Sequence, residues 1–289
     1  MKKTTGGFYN FSNIRYAAPP VGNLRFQAPS EPETDRTSID QGTVGRICPQ
    51  SIGQWTLESL EFVANYTQGL PFDPSLYTAP INVTELPMDP RVTEDCLFLD
   101  VVVSQKAFEG ANDGSGAPVV LWIHGGGYTI GSKDYYGIPA GILARSEQFD
   151  SRGVVFVAIN YRLGVFGFSA GSTIQSDGVS NAGLLDQRFA LDWVQKHISK
   201  FGGDPKRVTV IGESAGGSSI MHQITVSLNP LLGSCCHASL PAALLCTAEF
   251  NTDYIGLWRQ KRFNVQQGHS PISWLLPQYK PRPARGKSP

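Results

Sequence analysis

One serine lies in the pattern Gly-x-Ser-x-Gly between a strand-like apolar run and a helix-like run. The pattern is Gly212-Glu213-Ser214-Ala215-Gly216, and the apolar run 207–211 leads directly into it. Two glycines let the backbone turn sharply, so that the serine hydroxyl stands above the end of a sheet. The sequence therefore predicts a nucleophile elbow at Ser214, with a strand over 207–211 and a helix over about 215–225.

A second Gly-x-Ser-x-Gly occurs around Ser169, and in a chain with 31 glycines a chance match is unsurprising. Ser169 lies several residues after the apolar run 154–159. Residues 172–178, which follow it, have a loop composition without a helical period. We therefore interpret Ser169 as a loop residue and Ser214 as the nucleophile.

Other apolar runs predict the sheet to which this turn belongs. Strands are predicted at 96–103, 119–123, 154–160 and 207–211. All but the first are nearly continuous apolar runs, which is typical of parallel strands covered on both faces. An amphipathic helix is predicted over 181–201. The alternation of strand and helix indicates a doubly wound α/β sheet with a mostly parallel centre.

Composition argues against several classes of protein. The chain has 24 basic and 24 acidic residues, and no basic patch indicates nucleic-acid binding. No apolar run is long enough to cross a bilayer. The two lysines at the start are followed by no apolar stretch, so no signal peptide is predicted. The adjacent Cys235 and Cys236 lack the separation to bind one zinc ion comfortably, and we expect no metal and no cofactor.

Three Asn-x-Ser/Thr sequons, at Asn10, Asn65 and Asn82, would fit a secreted surface. Some such matches are expected by chance, so this indication is a mild one.

A serine nucleophile needs donors for the oxyanion and a base held by an acid. The sequence His124-Gly125-Gly126-Gly127 follows the predicted strand 119–123. A glycine loop there can turn backbone N–H groups toward a developing negative charge. A plain turn is the alternative, but a strand, this loop and a nucleophile elbow seldom occur in that order by chance.

The base and the acid are harder to place. His124 belongs to the donor loop, and His222 lies two helical turns from Ser214, about 12 Å along the axis. His197 is interpreted as a surface or capping histidine at the end of the preceding helix. Glu213 adjoins the serine but is expected to point elsewhere. The other candidates fall in the unpatterned end of the chain: His237, His269, Glu249 and Asp253.

Six blocks of sequence carry a resemblance to a known family: residues 13–26, 93–101, 122–128, 160–164, 183–188 and 201–205. Together, from about Gly7 to Val226, they resemble type B carboxylesterases, the family of cholinesterases, carboxylesterases and several secreted fungal lipases and esterases. Residues 45–50 look most like the filamentous-fungal branch. The resemblance implies an α/β-hydrolase fold, a secreted parent family, and hydrolysis of a small-molecule or lipid ester through an acyl-enzyme at Ser214.

The resemblance also implies roles for particular residues. The N–H groups of Gly126, Gly127 and Ala215 would form the oxyanion hole. Cys48 and Cys96 would form a disulfide, with Cα atoms about 5–6 Å apart. Two structural ion pairs are implied as well, Arg25 with Glu94 and Arg162 with Asp186.

The chain departs from the family after residue 226. Family members run roughly twice this length, and their triad acid and histidine lie in the half without a counterpart here. We expect 1–226 to be the N-terminal part of the hydrolase domain. We expect 227–289 to be a poorly ordered, non-family tail that leaves strand 207–211 at the edge of the sheet. The alternatives are an inactive fragment or pseudoenzyme, and a non-catalytic interaction protein like the cholinesterase-like adhesion proteins.

Overall fold

The computed structural model describes residues 2–3, 7–33, 42–53, 59, 62–63, 65–69, 89–111, 114, 116–137, 139–228 and 247–249. All of them lie in the first of two compact units, Met1–Asn251. The second unit, Thr252–Pro289, lies outside the described residues. Within the described part, no helix is long and apolar enough to cross a membrane.

Seven strands form one mixed sheet in the order β1-β2-β3-β5-β4-β6-β7. Strands β5, β4, β6 and β7 run parallel, whereas β1, β2 and β3 are added through antiparallel pairs. The strands are β1 (Lys2–Lys3), β2 (Phe8–Arg15), β3 (Phe98–Ser104), β4 (Ala117–Ile123), β5 (Val155–Ile159), β6 (Gly203–Glu213) and β7 (Thr247–Glu249).

In the part of the chain that the structure describes, six α-helices with defined bounds connect and cover these strands. They are α1 (Gln105–Glu109), α2 (Ala140–Ser146), α3 (Gly164–Phe168), α4 (Ser172–Asp177), α5 (Ala182–His197) and α6 (Ala215–Leu228). The described part of the chain also contains two 3₁₀-helices, Gly22–Leu24 and Ile198–Phe201, and helical residues at 59, 62–63 and 65–67. The second 3₁₀-helix continues α5 and ends at Gly202, which adopts a left-handed conformation with φ of 80°. The predicted strands over 96–103, 119–123, 154–160 and 207–211 and the helix over 181–201 are therefore all present.

The core lies mainly on one face of the sheet. All five residues of β5 are buried, as a strand covered on both faces requires. Strand β4 differs, because Val119, Leu121 and Ile123 are buried while Val120 and Trp122 are half-buried. The buried set packs with α5 in the larger core, and the other set packs with Leu143 of α2 in a smaller cluster.

Two expectations about local structure were wrong. Residues 172–177, predicted as a loop, form α4. This helix buries none of its residues, so its sequence carries no amphipathic period by which it could have been recognised. Residues 247–249, expected to lack structure, form β7, which pairs in parallel with Ile211, Gly212 and Glu213. The end of β6 is therefore not the edge of the sheet.

Candidate active site

Ser214 occupies the turn between β6 and α6 and has a left-handed backbone with φ of 52°. A Cβ atom added to Gly212 would lie 2.5 Å from the carbonyl carbon of Gly216, and one added to Gly216 would overlap the carbonyl oxygen of Ile123. Only glycine fits at either position. The Gly-x-Ser-x-Gly pattern therefore needs both of its glycines because the start of α6 approaches β4 and β6 so closely.

The glycine loop lies beside this turn because β4 and β6 are parallel neighbours. Ile123 at the end of β4 is paired with Gly212, so the chain leaves both strands at the same edge of the sheet. A Cβ atom added to Gly125 would stand 3.0 Å from the Cβ of Ser214. The loop and the turn border a cavity of about 240 Å³ lined by His124, Gly125, Gly126, Ile130, Gly131, Tyr135, Tyr136, Glu213 and Ser214.

Three backbone amides were predicted to be oxyanion donors, and of their residues Gly126 lines the cavity. Within the described residues, the N–H groups of Gly126, Gly127 and Ala215 donate no hydrogen bond. Gly126 and Gly127 have positive φ angles of 104° and 60°, which reverse the direction of the chain after β4. Ala215 begins α6, where unpaired amides carry partial positive charge. An amide that donates to no other group is free to donate to a negatively charged oxygen.

The buried side chain of His124 stabilises the glycine loop 124–127 from the protein interior. Its side chain is 1% exposed, and its Nδ1 lies 2.8 Å from the carbonyl oxygen of Gly125. Because a carbonyl only accepts, we place the ring proton on Nδ1. The ring stacks on Tyr161 with centroids 4.4 Å apart, and the Tyr161 hydroxyl donates to the His124 carbonyl. Burial lowers the pKa of His124 to about 4, so the ring is neutral near pH 7.

Glu213 lines the same cavity as Ser214. The hydroxyl of Tyr136 donates to its Oε2 over 3.1 Å. Burial, followed by the charge of Glu213, raises the pKa of Tyr136 to about 12. Tyr136 also packs edge-on against Trp122, with ring centroids 5.8 Å apart. No local sequence pattern predicts the contact between Tyr136 and Glu213, because the two residues are 77 positions apart.

The other candidate bases and acids lie away from the cavity or outside the described residues. His222 is exposed on α6, and His197 packs against Trp193 at the end of α5. The residues that lie outside the described part are His237, His269, Asp253, Cys235 and Cys236. Glu249 belongs to β7, but its side chain is not among those described. Among the described residues, no group of histidine, cysteine and carboxylate side chains could hold a metal ion.

Ser169 stands in a different setting from Ser214. It follows helix α3 rather than a strand, and its Oγ donates to the carbonyl of Val165 over 2.6 Å. Ser169 does not line the cavity with Ser214.

A buried polar network holds helix α6, which follows Ser214, against α5. Gln187 Nε2 donates to Ser219 Oγ over 2.9 Å, and Ser219 Oγ donates to the carbonyl of Ala215 over 2.9 Å. Gln223 Nε2 donates to the carbonyl of Leu184 over 2.7 Å. Gln187 and Ser219 are fully buried. The position of α6, and with it the amide of Ala215, therefore depends on side chains that the sequence reasoning did not single out.

The covalent and ionic pairs named from the resemblance are also formed in the fold. Cys48 and Cys96 form a buried disulfide with Cα atoms 4.9 Å apart. Arg25 binds Glu94 through two hydrogen bonds of 2.5 and 2.8 Å at the surface. Arg162 and Asp186 form a buried pair.

Comparison with curated proteins finds fungal and bacterial esterases. The chain is 46% identical over 233 residues to a carboxylesterase, patB, of Aspergillus clavatus, covering 77% of this chain and 42% of that protein. It is 38% identical over 217 residues to the para-nitrobenzyl esterase of Bacillus subtilis, covering 75% of this chain and 37% of that protein. The chain thus spans about two fifths of the length of these relatives.

Solved structures of esterases share the fold. The crystal structure of Aspergillus niger EstA matches with a TM-score of 0.55 and 34% identity over 75% of this chain and 34% of that chain. A thermophilic PNB esterase matches with a TM-score of 0.55 and 36% identity over 75% of this chain and 37% of its own. The predicted α/β-hydrolase fold is confirmed by these matches. The family model for the carboxylesterase family matches residues 1–233, and the chain belongs to that family.

Proposed function

We propose that this chain is the N-terminal part of a serine carboxylesterase in which Ser214 attacks the carbonyl carbon of an ester. The observation that supports this most is the shared cavity at the ends of β4 and β6, with Ser214 on one side and the glycine loop on the other. The substrate would be a small-molecule or lipid ester. Two relatives, a carboxylesterase and a para-nitrobenzyl esterase, have names that agree with that class.

In this proposal the oxygen that becomes negative faces the unpaired amides of Gly126, Gly127 and Ala215. Donors that are already in position stabilise the tetrahedral intermediate without reorganising, and losing one such donor typically costs a factor of about 10² to 10³ in rate. The alcohol leaves, the acyl group stays on Ser214 Oγ, and water then releases the acid. His124 has no part in proton transfer here, since it is buried and neutral; it positions the loop.

The proposal requires a base that takes the proton from Ser214 Oγ. Neither of the two described histidines outside the loop, His197 and His222, lines the cavity. A serine without a base stays protonated at neutral pH, and loss of a triad member typically removes about 10⁴ to 10⁶ of the rate. We therefore propose that the 289-residue chain alone is inactive, and that residues 227–289 do not supply the triad.

A chimera tests both statements. Residues 1–226 of this chain would be joined to the remaining C-terminal region of a patB-type carboxylesterase, which supplies the part of the family protein beyond the match. We expect a fluorophosphonate probe to label Ser214 in the chimera, and the chimera to hydrolyse a para-nitrophenyl ester. The unmodified 289-residue chain should do neither.

The matched control is Ser214→Ala in the same chimera. A folded chimera that is not labelled, or a label that persists in Ser214→Ala, would contradict Ser214 as the nucleophile. Stoichiometric labelling of the soluble 289-residue chain would show that a base is present in it, and His237 and His269 would then be the first residues to replace.

A further inference from the structure

The sequons at Asn10 and Asn65 have different surroundings in the fold. Asn10 lies within β2 and pairs with Lys2 of β1 on one side and with Val102 of β3 on the other. Its side-chain oxygen is buried and has no hydrogen-bond partner among the described residues. The side chain of a strand residue projects from a face of the sheet, and the buried oxygen shows that this part of the face is covered, so a glycan on Asn10 would displace the atoms packed over it. The third sequon, at Asn82, lies outside the described residues.

Asn65 lies in the last helical residues, 65–67, before an exposed turn at 68–69. Its carbonyl accepts from the amide of Gln68 over 3.1 Å, and the carbonyl of Tyr66 accepts from Gly69 over 3.1 Å. Residues 66–69 are all exposed, and Tyr66 reaches 75%. The Asn65 side chain is half-exposed and makes no hydrogen bond to another described residue. It can therefore be reached without opening the sheet.

The disulfide points to the compartment in which such a site would be used. Cys48 and Cys96 are joined and fully buried, and disulfides of this kind form and persist in secretory compartments. Asn65 falls within the stretch of chain that this bridge closes. The same compartments in eukaryotic cells attach glycans to Asn-x-Ser/Thr.

An exposed aromatic pair stands beside Asn65. Phe62 is one helical turn before it and is 44% exposed, and its ring stacks on Tyr66 with centroids 6.1 Å apart. An apolar pair at the surface gains from being covered by a sugar whose C–H face can pack against the rings. The surface around Asn65 is thus suited to carrying a glycan.

We propose that Asn65 is an N-glycosylation site of this protein and that Asn10 is not modified. The donor is a lipid-linked oligosaccharide pyrophosphate. The amide nitrogen of Asn65 forms a bond to C1 of the first sugar, the bond from C1 to the pyrophosphate oxygen breaks, and the amide loses one proton. The proposal is independent of esterase activity, since Asn65 is not among the residues that line the cavity with Ser214.

The test uses the full chain, directed into the secretory pathway of a yeast host by an added leader. Peptide N-glycosidase F in ¹⁸O-water converts each glycosylated asparagine to a labelled aspartate, which peptide mass mapping locates. We expect the label at Asn65 in protein whose Cys48–Cys96 bridge is formed. Asn65→Gln and Thr67→Ala should each remove it, whereas Asn10→Gln should leave the pattern unchanged.

Thr67→Ser is the matched control, because it alters the same position but keeps the sequon and should keep the label. Asn82→Gln separates any glycan at Asn82 from the one at Asn65. An unmodified Asn65 in protein with the bridge formed would overturn the proposal. So would a glycan on Asn10. Because the transfer occurs during synthesis, the result can be read from protein retained in the host as well as from secreted protein.

Discussion

The carboxylate of Asp186 accepts three hydrogen bonds from Arg162. The guanidinium donates from Nε over 2.8 Å and from a terminal nitrogen over 2.7 Å, and the Arg162 amide donates over 3.0 Å. The two side chains are 3% and 0% exposed. This contact joins the chain that follows β5 to helix α5. A charge so deeply buried depends on its partner, because water cannot replace it.

Replacing Asp186 by Asn should destabilise the fold severely. The Arg162 charge would remain buried without its counter-charge, and breaking a buried pair in this way typically costs about 3–5 kcal/mol. Urea unfolding followed by circular dichroism would measure the loss. Glu94→Gln is the matched control, since Arg25 and Glu94 make a similar two-bond pair at the surface, where an ion pair contributes little. Equal losses in the two variants would contradict this interpretation.

Ser214→Gly should be at least as stable as Ser214→Ala. Both variants remove the hydroxyl, but only glycine adopts a φ of 52° without steric strain. A left-handed conformation costs a residue with a side chain about 1–2 kcal/mol. Because glycine also loses more entropy on folding, we expect a net gain of up to about 1 kcal/mol. Thermal unfolding of the two variants would check this, and a clearly less stable Ser214→Gly would show that the turn is not strained.

Two glycines, each the second residue of a helix, should respond oppositely to alanine. Gly141 in α2 has no atom within 4 Å of an added Cβ, whereas at Gly216 in α6 that atom would overlap the carbonyl oxygen of Ile123. Gly141→Ala should stabilise the protein by up to about 1 kcal/mol through helix propensity. Gly216→Ala should destabilise it by about 1–3 kcal/mol or more. Urea midpoints that shift in the same direction would contradict the packing argument.

The stability of the fold should fall as the pH is lowered from about 6.5 to about 4, in part because of His124. Its pKa is about 4 when folded, against about 6.5 when unfolded, so the unfolded chain binds the proton first. The contribution of neutral His124 is complete above pH 6.5 and is lost as the pH falls to 4, a total of about 3 kcal/mol.

The measurement is the free energy of unfolding of the original protein and of His124→Gln at several pH values. Every other titratable group is present in both proteins, so the difference in slope between their pH profiles reports His124. Parallel pH profiles would show that the folded protein binds this proton as readily as the unfolded chain does.

Much of the fold was predictable because consecutive residues encode it. Strand β5 is a continuous apolar run since both of its faces are covered, and Gly202 marks the end of the preceding helix since the backbone there is left-handed. Helix α4 was missed because it buries nothing and so leaves no period. Strand β7 was missed because three residues are too few to form a pattern.

The sequence alone determined where the turn at Ser214 lies. The close approach of β4, β6 and α6 admits only glycine at 212 and 216, so five consecutive residues encode the turn. Tertiary structure alone decided what surrounds that turn. Tyr136 meets Glu213, and Gln187 meets Ser219, only once the register of β4 against β6 and the packing of α5 on α6 are set. Such contacts join residues 77 and 32 positions apart, and their partners are selected by the three-dimensional arrangement rather than by any local pattern.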